Sequence, residues 1–250
     1  MKSIWITGAS SGIGKALALK FANEGWQVAA SARREDLLNK IAESNENISS
    51  FPLDVTDSEK CKDVFEQIKN KLKSIDICFF STGTWDPKKE KEIDIDQMKK
   101  VMNVNFFGTL NCIKAVEKYF REKNSGHISI VSSIAGYRGL PNSTGYGASK
   151  AALNNLAESL YFDFGRYNVR VSLVSPGFIK TPMTDKNEFN MPFLKTAEYA
   201  ADKIYKGLLD GSSFEIDFPK ELTLILKFLK MLPDRLYFKI IKKLTKYQKR

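Results

Sequence analysis

The sequence predicts an α/β fold in which helices cover both faces of a doubly wound, seven-stranded parallel sheet. Seven short apolar runs alternate along the chain with longer segments of helical period. The apolar runs begin at positions 3, 27, 48, 75, 127, 169 and 213, and the helical segments begin near positions 12, 34, 57, 96, 146 and 196. This alternation produces right-handed strand–helix–strand units, which make neighbouring strands parallel and cover the sheet on both sides.

The loops after the predicted strands are the expected place for a functional site, because ligands of such sheets bind beyond the carboxyl ends of the strands. One helix boundary is predicted in detail. The third helix has a capping box, Thr56 followed three residues later by Glu59, and Asp57 is a further helix-start residue.

Composition sets the broad class of protein. With 250 residues, of which 43% are hydrophobic, the chain can bury a large core. The opening "MKSIWITGAS" lacks the long apolar region and cleavage site of a signal peptide, and no uncharged apolar stretch reaches the length of a membrane span. Three isolated cysteines, Cys61, Cys78 and Cys112, are typical of buried thiols in a reducing compartment, so a cytoplasmic location is expected.

The single histidine, His127, precedes an apolar run and is interpreted as structural. One histidine with scattered cysteines does not make a set of metal ligands, so no metal site is expected. An enzyme with this composition that works near neutral pH would take its acid or base from another residue type.

A glycine-rich loop follows the first predicted strand. In "TGASSGIGKALA", Gly8, Gly12 and Gly14 come between a strand and a helix, which is the context of a phosphate-binding loop. Gly8 permits the sharp turn, Gly12 lets a pyrophosphate approach the backbone, and Gly14 lets the helix pack closely. The spacing TGxxxGxG differs from the GxGxxG of most dinucleotide-binding loops.

A tyrosine and a lysine share one face of a predicted helix near the middle of the chain. In "STGYGASKAAL", Tyr146 precedes Lys150 by four residues. A pair at this spacing can be a simple surface contact. It also suits acid catalysis, because a nearby positive charge favours ionisation of the phenol.

Together these motifs resemble those of the short-chain dehydrogenase/reductase family, whose typical members carry TGxxxGxG near the start and YxxxK near the middle. The resemblance extends from residue 2 to about residue 218. It implies a Rossmann-type sheet and an oxidoreductase acting on CH–OH and carbonyl groups. It also implies that Tyr146 is the catalytic acid, and that Lys150 eases its ionisation and bonds the nicotinamide ribose.

Two further catalytic positions follow from the resemblance. Ser133, thirteen residues before Tyr146, matches the serine that hydrogen-bonds the substrate carbonyl, with Ser132 as the alternative if the register slips. Asn105 in "MNVNFFG" matches the helix residue that holds a water in the proton relay. A mid-helix asparagine followed by Gly108 is poor for helix stability, which a purely structural role explains less well.

The chain departs from the family after the fourth strand. Most members have Asn-Asn-Ala-Gly or a close variant there, whereas this chain has "STGT" at positions 81–84 and keeps only Gly83. We expect altered packing of this loop with activity retained.

The end of the second strand predicts the cofactor. Ala32 stands where an acidic residue would bond the ribose of NAD, and Arg33 follows it, which favours the 2′-phosphate of NADP(H) with Ser10 as a second contact. Arg34, at a helix start, is interpreted as solvated. The assigned cofactor positions are Gly8, Ser10, Gly12, Ile13, Gly14, Arg33, Asp54, Val55, Gly83, Tyr146, Lys150, Pro176, Gly177, Ile179 and Thr181.

The predicted function is NADPH-dependent reduction of a small carbonyl compound by a homo-oligomer, a dimer or tetramer. Apolar loop residues predict an apolar ketone or aldehyde, or else pack on the protein itself: Trp85, Leu140, Met183, Phe189, Met191, Phe193 and Leu194. The alternative is a non-catalytic NADP(H)-sensing regulatory protein. A nucleic-acid partner is not expected, because the excess charge is confined to the tail.

The tail, residues 219–250, is predicted to be an extension of the domain formed by residues 1–218. It holds ten Lys and Arg and two Asp and Glu, so its balance is +8, which leaves +2 of the total +10 for the rest. An apolar helix over 221–232 is predicted to end before Pro233. In the second helix Tyr237, Ile240, Ile241, Leu244 and Tyr247 share one side, and Arg235, Lys239, Lys242 and Lys246 another.

Two roles for this tail remain open at the level of sequence. A basic amphipathic helix is typical of peripheral attachment, here at the inner face of a membrane. A terminal helix can equally cover the core of its own chain or a subunit interface.

Overall fold

A single parallel sheet organises the fold. The computed structural model describes residues 2–86 and 93–245 of the chain. The strands are β1 (Ser3–Thr7), β2 (Gln27–Ala32), β3 (Ile48–Pro52), β4 (Ile77–Phe80), β5 (Gly126–Val131), β6 (Val169–Pro176) and β7 (Glu215–Phe218). They lie in the order β3-β2-β1-β4-β5-β6-β7, so the direction of winding reverses between β1 and β4.

Helices flank this sheet and extend beyond its last strand. In the described chain the α-helices are α1 (Gly12–Asn23), α2 (Glu35–Glu43), α3 (Ser58–Leu72), α4 (Ile95–Met102), α5 (Gly108–Lys123), α6 (Thr144–Gly165), α7 (Ala197–Asp210), α8 (Lys220–Lys230) and α9 (Asp234–Leu244). The predicted strands and the six predicted helices all begin within two residues of these bounds, and the fold class is confirmed.

Helices cover both faces of the sheet, and its central strands β1 and β4 are buried throughout, whereas the edge strand β3 is mostly half-buried. In β1, Ile4 and Ile6 pack in the hydrophobic cluster that includes α1, α2 and α7. Between them Trp5 points to the opposite face and packs in the cluster that includes α3, α5 and α6. Because successive side chains of a strand point to opposite faces of the sheet, residues of this one strand contribute to the hydrophobic core on each face.

The start of α3 differs from the prediction, and the capping box is wrong. Asp57 is the capping residue, and its carboxylate accepts from the backbone N–H of Lys60 at 2.9 Å. The Thr56 hydroxyl instead donates to Asp54 at 2.8 Å, and the Glu59 carboxylate pairs with Lys62 at 2.7 Å. Asp57 therefore confirms the other prediction for this boundary, that it is a helix-start residue.

The helix predicted from position 96 is interrupted. A π-helical turn, Asn103–Phe107, separates α4 from α5, and such turns are frequently found at functional sites. Gly108 follows because α5 lies close to the end of β3. A Cβ atom at Gly108 would lie 2.5 Å from Cγ2 of Val55, so this position excludes a side chain.

The predicted C-terminal helices are both present, with Pro233 between them. They pack on the loop between β5 and α6. The Arg138 guanidinium lies 3.9 Å from the ring centroid of Tyr237 and donates to the Leu232 carbonyl at 2.7 Å. The Tyr237 hydroxyl donates to the Gly139 carbonyl at 2.8 Å. The extension is thus attached to the protein through a loop next to the predicted catalytic residues.

The side of α9 that was predicted to be apolar covers the chain itself. Tyr237 and Ile241 are buried and Ile240 is half-buried, whereas Leu244 is exposed. Tyr247 and Lys246, which complete the predicted pattern, lie outside the described residues. The division of the chain at residue 218 stays a prediction.

His127 gives the fold a predicted sensitivity to acid. Its Nε2 atom lies 2.8 Å from the Ser172 hydroxyl, and burial, together with the nearby charge of Arg170, lowers the pKa of His127 to about 3. The unfolded chain takes up a proton near pH 6.5, so the free energy of unfolding falls as the pH drops from 6.5 to 3. At pH 5 this loss is about 2 kcal/mol. Urea unfolding at pH 7 and pH 5 measures it.

A His127→Gln variant is the control for this effect, because it keeps a polar side chain and removes the titration. The difference in unfolding free energy between pH 7 and pH 5 is expected to shrink in the variant by about 2 kcal/mol. An unchanged difference would assign the acid sensitivity to other groups.

Candidate functional site

A cavity of about 630 Å³ lies beyond the carboxyl ends of the strands, at the point where the winding reverses. All of the predicted cofactor positions line it, and so does Ser133; Asn105 does not. Further lining residues, which the sequence analysis did not assign to the cofactor, are Ser11, Ala32, Arg34, Leu53, Ser81, Thr82, Val104, Val131, Ser132, Pro182, Met183 and Thr184.

The glycine-rich loop forms the floor of this cavity and leads into the amino end of α1. Gly12 has φ +55°, and a Cβ atom there would lie 3.0 Å from Cγ2 of Thr181, on the opposite side of the cavity. A side chain would therefore narrow the space in front of the helix end. Free backbone N–H groups at such an end attract anions. The loop, the cavity and the arginines beside it fit a dinucleotide with phosphate groups.

Two consecutive arginines, Arg33 and Arg34, follow the end of β2, and the contacts of the second differ from the prediction. Arg34 donates hydrogen bonds to the hydroxyls of Ser10 and Ser11, both at 2.9 Å, and so is not simply solvated. The Arg33 guanidinium lies 4.0 Å from the Asp54 carboxylate and is 64% exposed. Ser10, Arg33 and Arg34 together provide cationic and hydroxyl donors at one corner of the cavity. The doublet was visible in the sequence, but its contact with the glycine-rich loop was not.

Tyr146 and Lys150 lie on the first turns of α6 and face the cavity together. The Lys150 Nζ atom is 5.6 Å from the ring centroid of Tyr146 and donates to the Val131 carbonyl at 2.9 Å. Burial lowers the pKa of Lys150 to about 8. At pH 7 the amine is still mostly protonated, so a positive charge lies beside the phenol in the interior of the site.

The two serines after β5 have different surroundings. The Ser132 hydroxyl donates to the backbone carbonyl of Lys150 at 3.0 Å and fastens β5 to α6. The Ser133 oxygen accepts from the N–H of Ala135 at 3.2 Å, which leaves its hydroxyl hydrogen without an acceptor in the described part of the chain. Ser133 therefore has the hydrogen-bond donor that a bound carbonyl oxygen needs.

Asn105 lies behind the cavity wall in the π-helical turn. Its Oδ1 accepts from the N–H of Thr84 at 2.7 Å, and its Nδ2 donates to the Thr84 carbonyl at 3.1 Å and to the Ser149 hydroxyl at 3.0 Å. The Ser149 hydroxyl in turn donates to the Tyr146 carbonyl at 2.7 Å. Asn105 thus connects the loop after β4 to the helix that carries Tyr146. The water contact implied for Asn105 stays a prediction.

The divergent loop at positions 81–84 is held at both ends. The Ser81 hydroxyl donates to the Thr7 carbonyl at 2.6 Å, and Thr84 makes the two bonds with Asn105. Gly83 between them faces the Lys150 amine, since a Cβ atom there would lie 3.7 Å from Nζ. Small residues in this loop leave the amine accessible from the cavity.

The predicted substrate-side residues divide into three groups. The Trp85 ring stacks on the Tyr146 ring at a centroid distance of 5.2 Å, and Met183 lines the cavity. Phe189, Phe193 and Leu194 are nearly half exposed, and Met191 of the same segment is half-buried beside Asn187. Leu140 was predicted to lie in the cleft, but it packs in the hydrophobic cluster formed with α8 and α9 and so contacts the extension.

Comparison with known proteins identifies the family. The family profile described as short chain dehydrogenase matches residues 2–191. An uncharacterized oxidoreductase of Myxococcus xanthus is 32% identical over 236 residues, which cover 93% of both chains. The 3-oxoacyl-[acyl-carrier-protein] reductase FabG of Thermotoga maritima is 35% identical over 185 residues, 72% of this chain and 75% of that protein. The chain therefore belongs to the short-chain dehydrogenases, a family of oxidoreductases.

Solved structures agree with this assignment. ElxO with NADP bound superposes with a TM-score of 0.76 at 29% identity, covering 86% of this chain and 97% of that one. A Tyr-to-Phe variant of ElxO with NADPH bound matches equally well. A short-chain dehydrogenase from Streptomyces avermitilis covers the whole of this chain with a TM-score of 0.82 at 22% identity, which supports the fold. The predicted NADP(H) cofactor is the one that the two ElxO structures hold.

Proposed function

We propose that the protein is an NADPH-dependent reductase of carbonyl compounds. One observation carries this proposal: Tyr146, the buried Lys150 and the hydrogen-bond donor Ser133 line the same cavity. The glycine-rich loop and two arginines line that cavity too. A structural role for the Tyr–Lys pair would not require the lysine to be buried beside a cavity lined by donors for phosphate.

The residues have separate tasks in this reaction. When bound, the nicotinamide ring supplies a hydride to the carbonyl carbon. The Ser133 hydroxyl donates a hydrogen bond to the carbonyl oxygen and stabilises the negative charge that develops on it. Tyr146 donates its phenolic proton to that oxygen, so the product is an alcohol and the residue is left as a phenolate.

Lys150 stabilises this phenolate. Its ammonium group is fixed by the Val131 carbonyl and lies beside the Tyr146 ring in a water-poor environment, where a charge interaction is stronger than in water. Asn105 acts through its neighbours as a positioning residue. Its side chain holds Thr84 and Ser149, and Ser149 fixes the backbone of Tyr146.

The cofactor preference rests on the corner formed by Ser10, Arg33 and Arg34. A 2′-phosphate accepts charge-assisted hydrogen bonds from guanidinium groups, whereas a ribose hydroxyl gains far less from them. Ala32 removes the acidic residue that would bond the ribose of NAD. NADP bound to the similar ElxO structure supports the same preference.

The proposed substrate is an apolar ketone or aldehyde. Met183 on the cavity wall and Trp85 beside the Tyr146 ring provide an apolar surface next to the reacting groups. Binding to such a surface grows with the apolar area that the substrate buries.

A screen of NADPH consumption across aldehydes and methyl ketones of increasing chain length tests both proposals. We expect kcat/KM to rise by about fourfold for each added CH₂ group until the apolar surface is covered. A flat or falling series would exclude the apolar substrate class. Tight NADPH binding without turnover on any carbonyl would favour the non-catalytic NADP(H)-sensing protein instead.

A homo-oligomer, a dimer or a tetramer, is part of the proposal. The support on this chain is an aromatic pair on the outer side of α6, Tyr161 and Phe162, which are both exposed and pack edge to face. Aromatic side chains are enriched at the buried centres of protein interfaces.

A further inference from the structure

The extension carries an apolar surface that the described residues leave uncovered. While Leu222 and Leu229 of α8 are buried, three large apolar side chains of the same helix and one directly after its end are exposed. This α8 outer stripe consists of Leu224, Ile225, Phe228 and Met231. Phe228 is 59% and Met231 75% exposed, and the spacing of 224, 228 and 231 places them on one line along the helix. Contiguous exposed apolar patches mark interaction sites.

Most cations of the extension have no partner of opposite charge among the described residues. In the described part of the chain, Lys220 and Lys227 pair with Glu215 or Asp217 at the end of the sheet. The remaining cations of the extension form no ion pair within the described residues: Lys230, Arg235, Lys239, Lys242 and Lys243. We call these five residues the tail cations. Arg235, Lys239 and Lys242 share the outer side of α9, because they are spaced by three and four residues.

We propose that helices α8 and α9 dock the protein on an anionic lipid surface, with the α8 outer stripe buried among the lipid chains near the headgroups and the tail cations on the anionic headgroups. The pattern of aromatic and aliphatic residues beside lysines is the one that interfacial helices use. This surface is a different one from the apolar side of α9, which Tyr237 and Ile241 bury against the protein.

Charge favours lipid over a second copy of the chain as the occupant. Two copies meeting through this surface would bring two sets of five unpaired cations together, and like charges across an interface oppose association. An anionic leaflet attracts each of them, within about 10 Å at ordinary ionic strength. The attachment is peripheral, since among the described residues no helix is long and apolar enough to cross a bilayer.

Several polar contacts hold the extension to the loop between β5 and α6. Arg138 bonds the carbonyls of Leu232 and Lys230 and pairs with Asp234, and Tyr237 bonds Gly139. These contacts connect the extension to the loop that precedes Tyr146. A truncation at Phe218 would expose buried residues of the body, so point substitutions on the outer surface are the better test.

Cosedimentation of the full-length protein with vesicles measures the docking. Vesicles of phosphatidylcholine with phosphatidylglycerol are compared with vesicles of phosphatidylcholine alone, in low and high salt. We expect the protein to pellet with the anionic vesicles in low salt and to remain in the supernatant with the neutral ones. A protein that stays in the supernatant in both cases overturns the proposal.

Two double variants assign the binding to this surface. Phe228→Glu/Met231→Glu and Lys239→Glu/Lys242→Glu are each expected to lower the partition coefficient by about tenfold or more. Matched controls change the same charge at other exposed sites, Ile95→Glu/Leu209→Glu for the first and Lys99→Glu/Lys118→Glu for the second. Circular dichroism melting establishes that every variant is folded.

The controls decide between specific docking and general attraction. If a control lowers binding as much as its partner variant, the α8 outer stripe or the tail cations are not the docking surface. If the tail variants change the sedimentation of the protein without vesicles, the surface joins copies of the chain and the lipid proposal is wrong. None of these readouts depends on turnover, so the outcome is independent of the proposed reductase activity.

Discussion

A Tyr146→Phe substitution is expected to lower kcat for NADPH-dependent carbonyl reduction by about 10³-fold, within the range that a positioned general acid contributes. The substitution removes the phenolic oxygen that supplies the proton and keeps the ring. Because the Trp85 ring stacks on the Tyr146 ring, phenylalanine retains that contact and the start of α6 keeps its place. NADPH affinity is therefore expected to change by less than about threefold.

Stopped-flow or steady-state assays at pH 7, with NADPH fluorescence titrations beside them, separate the two effects. Tyr199→Phe is the matched control, because Tyr199 lies on α7 and does not line the cavity. Near-normal turnover in Tyr146→Phe would show that the proton comes from another group. Loss of NADPH binding would instead indicate that the variant had damaged the cavity.

Replacing Arg33 and Arg34 together with alanine is expected to weaken NADPH binding by about 100-fold or more, since hydrogen bonds to a charged group are worth about 1.5–3 kcal/mol each. NADH lacks the 2′-phosphate, and its affinity is expected to stay within about threefold. The sequence alone predicts that Arg33 carries most of this effect. The structure favours an equal or larger share for Arg34, because Ser10 and Ser11 hold its guanidinium in place while Arg33 is largely exposed.

Titrations of NADPH and NADH against the two single variants and the double variant show how much of the loss of NADPH affinity each arginine accounts for. Arg166→Ala provides the control for the loss of one positive charge, since Arg166 is exposed at the end of α6. The salt dependence of NADPH affinity gives a second readout, because the affinity becomes less sensitive to salt with each phosphate contact that is lost. Equal affinity of the unaltered protein for NADPH and NADH would contradict the assignment of this corner to a 2′-phosphate.

Local signals in the sequence determined the sheet, the helix positions and the place of the site. A strand buried on both faces is rich in apolar residues, as β1 and β4 are, so it can be predicted from a short apolar run. Longer helical segments between such runs make neighbouring strands parallel. The glycine-rich loop and the Tyr146–Lys150 pair depend on spacing within a few residues. Their positions around one cavity follow from the topology, because the carboxyl ends of parallel strands meet at one edge.

Tertiary structure decided the features that depend on residues far apart in the chain. Arg34 meets Ser10 across 24 positions, and Asn105 meets Ser149 across 44. Local spacing cannot show which hydroxyl such a side chain reaches. For the same reason the sequence could not assign separate tasks to Ser132 and Ser133, since the bond from Ser132 to the Lys150 carbonyl exists only once α6 has packed on β5.

The extension shows the same division between sequence and structure. The sequence predicted an apolar helix before Pro233 and a basic amphipathic helix after it, with cations on one side of the second helix, and both helices are present. The apolar sides of both helices look alike in the sequence. Tyr237 is buried because it packs against Arg138 and Leu140, whereas Phe228 faces solvent. Burial depends on which surface of the protein lies opposite each helix. Periodicity in the sequence contains no information about that surface.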